Sequence, residues 1–214
     1  MISKFKNVSN PSRIQLGHYR KHWPSIASPT GSPRHLIQWG IRPETRGGFV
    51  MSIDLAESML SRRGVSVSSI ADIVFQLQKR YHPKLTIDQC EESVRAVLGK
   101  REVQYTLFTG IALDELAEKK LLPEPLQSIM EQDEPLYGVD ETMALGVTSI
   151  YGMIGLTSFG YLDKEKMGVI ETLNDKSDGI HVFLDDLVAG IAAAASSRIA
   201  HRNPDAALYS AGSD

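Results

Sequence analysis

The 214-residue chain has one cysteine, Cys90. That excludes a disulfide framework and any multi-cysteine zinc centre, and it suits a reducing cytosol. Nowhere do about 18 apolar residues run together, so no segment reads as membrane-spanning. The N-terminal basic residues are not followed by an apolar run of about 7 to 15 residues, so the pattern of a secretory signal is missing. No stretch sustains an apolar–polar alternation of period two, which leaves the chain without a strand signal. Several catalytic motifs are missing as well. There is no Walker loop, no G-x-S-x-G elbow and no D-x-D nucleophile segment. Cys90 and Arg95 are spaced wrongly for a thiol phosphatase loop. In "DKSDG" Gly179 falls fifth, where an EF-hand needs glycine sixth.

Acidic charge is nearly missing from the first fifty residues, which hold eight Lys or Arg against Glu44 alone, a balance of +7. Residues 51–214 hold fifteen against twenty-five, a balance of −10. Half the prolines and both tryptophans, Trp23 and Trp39, also lie in the first fifty. With no apolar periodicity, that segment reads as disordered or as a non-native extension, and its Pro and Gly spacing argues against a helical targeting arm. Codons for Arg46 to Gly48 can spell a bacterial ribosome-binding site ahead of Met51, so Met51 is a candidate start. The expected organisation is an extension over 1–50, one helical domain over 51–202, and a disordered tail over 203–214. The acidic balance of the domain disfavours nucleic acid as a partner.

Helical spacing recurs along the domain. Ser69 and Asp72 read as a capping box before Ile70, Ile73, Val74 and Leu77, with the helix ending near His82-Pro83. Thr86 and Gln89 repeat that signature. Apolar positions from Val94 to Leu116 then predict one long helix or two broken near Gly110. A short helix restarts after Pro123. Another apolar stripe runs from Val139 to about Leu156, and "FGYLDKEKMGVIETLNDKSDG" reads as a polar connection with one short helix. Leu187, Val188, Ile191, Ala195 and Ile199 mark the last helix. The expected fold class is all-α, a single domain of about six to eight helices.

Two pairs of adjacent acids stand at helix starts: Asp140 and Glu141 before one apolar stripe, Asp185 and Asp186 before another. At about 6 Å two such charges repel by roughly 0.7 kcal/mol in water, and severalfold more in a partly buried site. Either pair alone is accounted for by a helix N-terminus, whose dipole favours a carboxylate. If the two helices lie parallel, however, four carboxylates meet, with Asp163, Asp175 and Asp178 in the connection between them. Oxygen-only ligands of this kind suit Mg²⁺ or Mn²⁺ rather than Zn²⁺. Lys164, Lys166, Lys176 and His181 put cations beside the acids, unless they line a solvated loop. Metal plus lysine is an apparatus for a phosphate monoester.

These segments resemble the phosphatidylglycerophosphatase A family, and most of all its soluble Gram-positive branch, the low-temperature-requirement C proteins. "FLDDLVAGI", Phe183 to Ile191, resembles the family's apolar-Asp-Asp-apolar-Val-Ala-Gly signature. "VDETMALGV" resembles its Asp-Glu helix start at Asp140 and Glu141. "YLDKEKMGVI" is similar to its Asp-x-x-Lys-Pro segment at Asp163 and Lys166, with Met167 in the place of Pro. The likeness to the soluble branch spans roughly 51–202, through "IVFQLQKRYHP" and "KREVQYTLFTGIALDELAEKKLLPEPLQ", and that to the wider family about 135–195.

The resemblance implies Mg²⁺-dependent removal of phosphate from phosphatidylglycerophosphate, giving phosphatidylglycerol. Asp140, Glu141, Asp185 and Asp186 are the expected metal ligands. Asp140, Glu141, Asp163, Lys166 and Asp175 are the catalytic candidates, and Lys166, Lys176 and His181 the substrate contacts. Either water or an aspartate serves as nucleophile. The expected setting is the cytoplasm, with peripheral contact at the inner face of the membrane and self-association both left open. A phosphatase of a soluble monoester and a noncatalytic helical interaction protein are the alternatives.

Overall fold

A computed structural model describes residues 51–175 and 179–202. The expectations for 1–50, for the tail 203–214, and for Lys176 and Asp178 lie outside these residues. Among the described residues there are nine α-helices and no strand. The all-α expectation holds, with one helix more than the upper bound of eight. In chain order they are α1 (Ile53–Arg62), α2 (Val67–Gln78), α3 (Ile87–Leu98), α4 (Arg101–Glu118) and α5 (Leu126–Gln132). α6 (Val139–Ser149), α7 (Gly152–Glu165), α8 (Val169–Leu173) and α9 (Leu184–Arg202) follow.

Caps set several boundaries, and some differ from those read in the sequence. α1 was not anticipated; it starts where Ser52 Oγ accepts the Leu55 N–H at 3.1 Å. α2 begins at Val67 rather than after Ser69. Ser66 is its N-cap, and Ser69 is the reciprocal N3 partner of that capping box. It also stops at Gln78, short of His82. The Thr86–Gln89 capping box of α3 is as expected.

The break between α3 and α4 falls at Gly99-Lys100, where Lys100 is extended, and not at Gly110. Gly110 lies within α4, where an added Cβ would come 2.5 Å from Leu187 Cδ1 and 2.9 Å from Phe183 Cβ. It is a close-packing glycine, not a hinge. The stripe that begins at Val139 also divides, at Ile150-Tyr151. The first third of the supposed polar connection is the last two turns of α7, in which Phe159 and Leu162 are buried.

α9 occupies the centre. Every residue from Leu184 to Ser197 is buried, and α2, α3, α4, α6, α7 and α8 all pack against it. A helix without a polar face belongs in a core, and its alanines let six neighbours come close. Two of those neighbours position the site. Asp186 faces Asp140, Gly190 faces Ala144, and Ser197 Oγ donates to the Tyr151 carbonyl at 2.8 Å. Each pair is separated by the same 46 residues, so α6 and α9 run parallel. α7 then returns antiparallel, tight against α6 because Gly155 sits over the Thr148 carbonyl.

Candidate active site

The first turn of α9 is held from outside its own sequence. The N–H groups of Phe183 and Leu184 donate to the two carboxylate oxygens of Asp114, on α4, at 3.1 and 3.0 Å. A cap normally comes from the residue just before the helix. With that role filled by Asp114, Asp185 and Asp186 sit inside the helix, 8% and 4% exposed. They are therefore not solvent-facing caps. Asp185 Oδ1 accepts the Asp186 N–H at 2.8 Å, leaving Oδ2 to face outward from the helix.

α7 brings the cation. At its C-terminus Lys166 adopts a left-handed conformation, φ 45°, which turns its side chain back onto the start of α9. Its Nζ lies 2.9 Å from Asp163 Oδ1, 3.0 Å from Asp185 Oδ2 and 3.6 Å from Asp186 Oδ1. α6 adds Asp140, which is close enough for its charge to act on Asp186 and to feel Lys166. Asp133, the left-handed C-cap of α5, adds a further acid acting on Asp140 and Asp185.

The protonation of these groups follows from burial and like charge. Burial and then the Asp185 carboxylate push Asp186 up to about 8, with Asp163 and Asp140 adding to the effect and Lys166 opposing it. Burial likewise raises Asp185 and Asp140, against the pull of Lys166. Burial alone would lower Lys166, but Asp185, Asp163 and Asp186 outweigh it and hold the ammonium protonated.

The structure brings Asp140, Asp163, Lys166, Asp185 and Asp186 together. Glu141 stands apart on the exposed side of the same turn, with its N–H on Asp140 Oδ1 at 2.9 Å. Asp175 is exposed just beyond α8. His181 Nδ1 lies 2.9 Å from the Arg63 guanidinium, which also grips Glu118 and the Ile180 carbonyl. His181 nevertheless lines a small cleft of about 110 Å³ with Asp133 and Asp185. Sequence reasoning missed Asp114 and Asp133. For Asp114 a signal existed, since it follows Ile111 by three on the apolar stripe of α4, where an acid needs a buried partner.

The sequence pattern of the family described as Phosphatidylglycerophosphatase A matches residues 57–201. The chain belongs to the phosphatidylglycerophosphatase A family. It is 60% identical over 148 residues to the uncharacterized protein YutG of Bacillus subtilis, covering 69% of this chain and 89% of YutG. It is 56% identical over 153 residues to the uncharacterized protein YpjQ of the same organism, covering 72% of this chain and 86% of YpjQ. The crystal structure of low temperature requirement C protein from Listeria monocytogenes superposes with a TM-score of 0.68 at 50% identity, covering 71% of this chain and 98% of that one. This likeness agrees with the Gram-positive branch.

Family membership makes a divalent cation relevant, and the donor set suits one. All the donors are carboxylate oxygens. Burial first, and then the neighbouring Asp185, Asp163 and Asp140, keep Asp186 raised even with Lys166 beside it. Among the described residues no three His, Cys, Asp or Glu side chains are yet arranged to hold a metal; three carboxylates close on Lys166 instead.

Proposed function

We propose that this member of the phosphatidylglycerophosphatase A family is a Mg²⁺-dependent phosphatase. Its substrate is the phosphate monoester of phosphatidylglycerophosphate, its lipid product is phosphatidylglycerol, and Mn²⁺ can replace Mg²⁺. The observation that carries this is the Lys166 ammonium held among Asp163, Asp185 and Asp186, within the segment matched to the family.

An acidic pocket alone repels a phosphate. Lys166 gives one phosphate oxygen a positive partner, already oriented by two carboxylates and so requiring little rearrangement. A divalent cation held by Asp140, Asp185 and Asp186, with Glu141 at the rim, would neutralise further charge and polarise the phosphoryl group. Asp163 has the most exposed side chain of the three on Lys166, 35% against 12% and 6%. It is the group placed to take a proton from an attacking water. His181, in the cleft beside Asp185, meets the rest of the head group. Among the described residues no helix is long and apolar enough to cross a membrane, and in this proposal the lipid is engaged at the bilayer surface.

The test is phosphate release by the full chain from phosphatidylglycerophosphate in phosphatidylcholine vesicles, with Mg²⁺ or EDTA, beside glycerol phosphate in solution. Release from the vesicles with Mg²⁺ only, lost in Lys166→Met, is expected. Release from the soluble monoester alone moves the assignment to a soluble substrate. Release from neither makes the chain a noncatalytic helical protein.

A further inference from the structure

Arg63, the C-cap of α1, reaches across to the segment that leads into α9. Its side chain is 11% exposed. Nη1 and Nη2 grip the two carboxylate oxygens of Glu118, on α4, at 2.9 and 2.7 Å. Nη2 also donates to the Ile180 carbonyl at 2.9 Å, while Glu118 Oε1 accepts the Ile180 N–H at 3.0 Å. Both backbone polar groups of Ile180 are thereby fixed, which is enough to anchor the segment.

A further partner of Nη2 is not needed for that anchor. It is His181 Nδ1, 2.9 Å away. Burial works against the charge on Arg63, but Glu118 first, and then Asp114 and Glu115, outweigh it. A guanidinium has only N–H donors. Nη2 has two hydrogens for three acceptors, so one is shared, and Nδ1 must still turn its lone pair, not a hydrogen, toward the cation. The ring proton is then on Nε2, because which nitrogen carries it is set by the bond the other makes. Nε2 lies beside Gly179, where a Cβ would come 3.3 Å from it and 2.7 Å from Glu118 Oε1. Gly179 and His181 both line the cleft that contains Asp133 and Asp185.

We infer that Arg63 is a positioning residue of this site, acting through His181. Its Nη2–H holds Nδ1 as an acceptor and commits the ring to present Nε2–H to an oxygen of the substrate head group. His181 is then a neutral hydrogen-bond donor and not the general base, which leaves that task to Asp163. For the head group this rests on the phosphatase reading above; for the state of the ring it does not.

Two-bond proton–nitrogen correlation spectra of the full chain, labelled in histidine and held in EDTA at about pH 8, where an ordinary imidazole is neutral, read the ring directly. His181→Gln identifies its resonances. The wild type should show Nε2–H alone, and Arg63→Met a mixture of the two tautomers. An Nδ1–H ring in the wild type, or a ring unchanged by Arg63→Met, overturns the inference whether or not the chain is a phosphatase. With Mg²⁺ and glycerol phosphate added, the wild-type Nε2 resonance should move; a resonance that stays in place would confine Arg63 to anchoring the segment. The vesicle assay gives a second reading that does not disturb Arg63. His181→Gln, whose amide nitrogen reaches the place of Nε2, should keep release within about threefold of the wild type. His181→Asn reaches only the place of Nδ1, so it satisfies Arg63 but offers the substrate nothing, and KM should rise about tenfold with little change in kcat. Equal release by the two variants, at unchanged melting temperature, would overturn the role given to Nε2.

Discussion

Asp114 and Leu184 are joined by a 3.0 Å bond from the Leu184 N–H to the Asp114 carboxylate, across 70 residues of sequence. The second oxygen takes the Phe183 N–H. The place of Asp185 and Asp186 is thus fixed by α4, through a carboxylate with no exposed surface.

Asp114→Ala should lower stability by about 2 to 4 kcal/mol, because it removes a cap and leaves two buried donors unmatched. Phosphate release should fall along with it. Urea denaturation beside the vesicle assay measures both, and an unchanged midpoint would show that the cap is dispensable.

Asp185→Asn and Asp186→Asn should each abolish turnover and weaken Mg²⁺ binding while the chain stays folded. Neither side chain caps α9, so the loss is of charge rather than of a helix start. Calorimetric titration with Mg²⁺ checks this, and wild-type affinity in both variants would sink the metal assignment.

In EDTA the stability should depend on pH through Asp186. Its folded value of about 8 lies above the value of about 3.9 for an aspartate in an unfolded chain. Between those values the folded state holds the extra proton. Its contribution is therefore complete below about pH 4 and is lost as pH rises through about 8. The melting temperature should fall between about pH 5 and pH 9, and Asp186→Asn should flatten that slope and exceed the wild type at the alkaline end. A slope unchanged by the substitution would contradict the burial argument.

Gly110→Ala should destabilise by about 1 to 3 kcal/mol despite a better helix propensity, since Phe183 and Leu187 leave no room for a methyl group. Thermal melts decide it. Stabilisation would mean that the α4–α9 contact yields easily.

A chain beginning at Met51 should melt within a few degrees of the full chain, because the first described helix carries its own cap in Ser52 and the family match begins at residue 57. A larger fall would show that the preceding residues contribute to the domain.

Much of this architecture is legible in local pattern. Thr86 and Gln89 announce α3 because a capping box is a short-range device. Asp140, Asp185 and Asp186 stand out because adjacent like charges at the start of an apolar helix call for an explanation. Gly110 misleads, since a glycine that ends a helix and one that admits a neighbour look alike until the neighbour is known. Lys166 reads as part of a polar loop because its left-handed backbone and its three partners are set by the return of α7. Asp133 is invisible for the same reason: it acts from the end of a short helix across space. What the sequence hides is whatever depends on two distant segments meeting.

The helix at the centre is also the last in order of the nine among the described residues. While the chain is being synthesised, α1 to α8 leave the ribosome able to touch one another but without the helix their apolar faces share. Their common partner arrives only with residues 184–202. A fragment ending before Leu184 is therefore a ring of helices without a hub, and would be handled by the cell as unfolded chain.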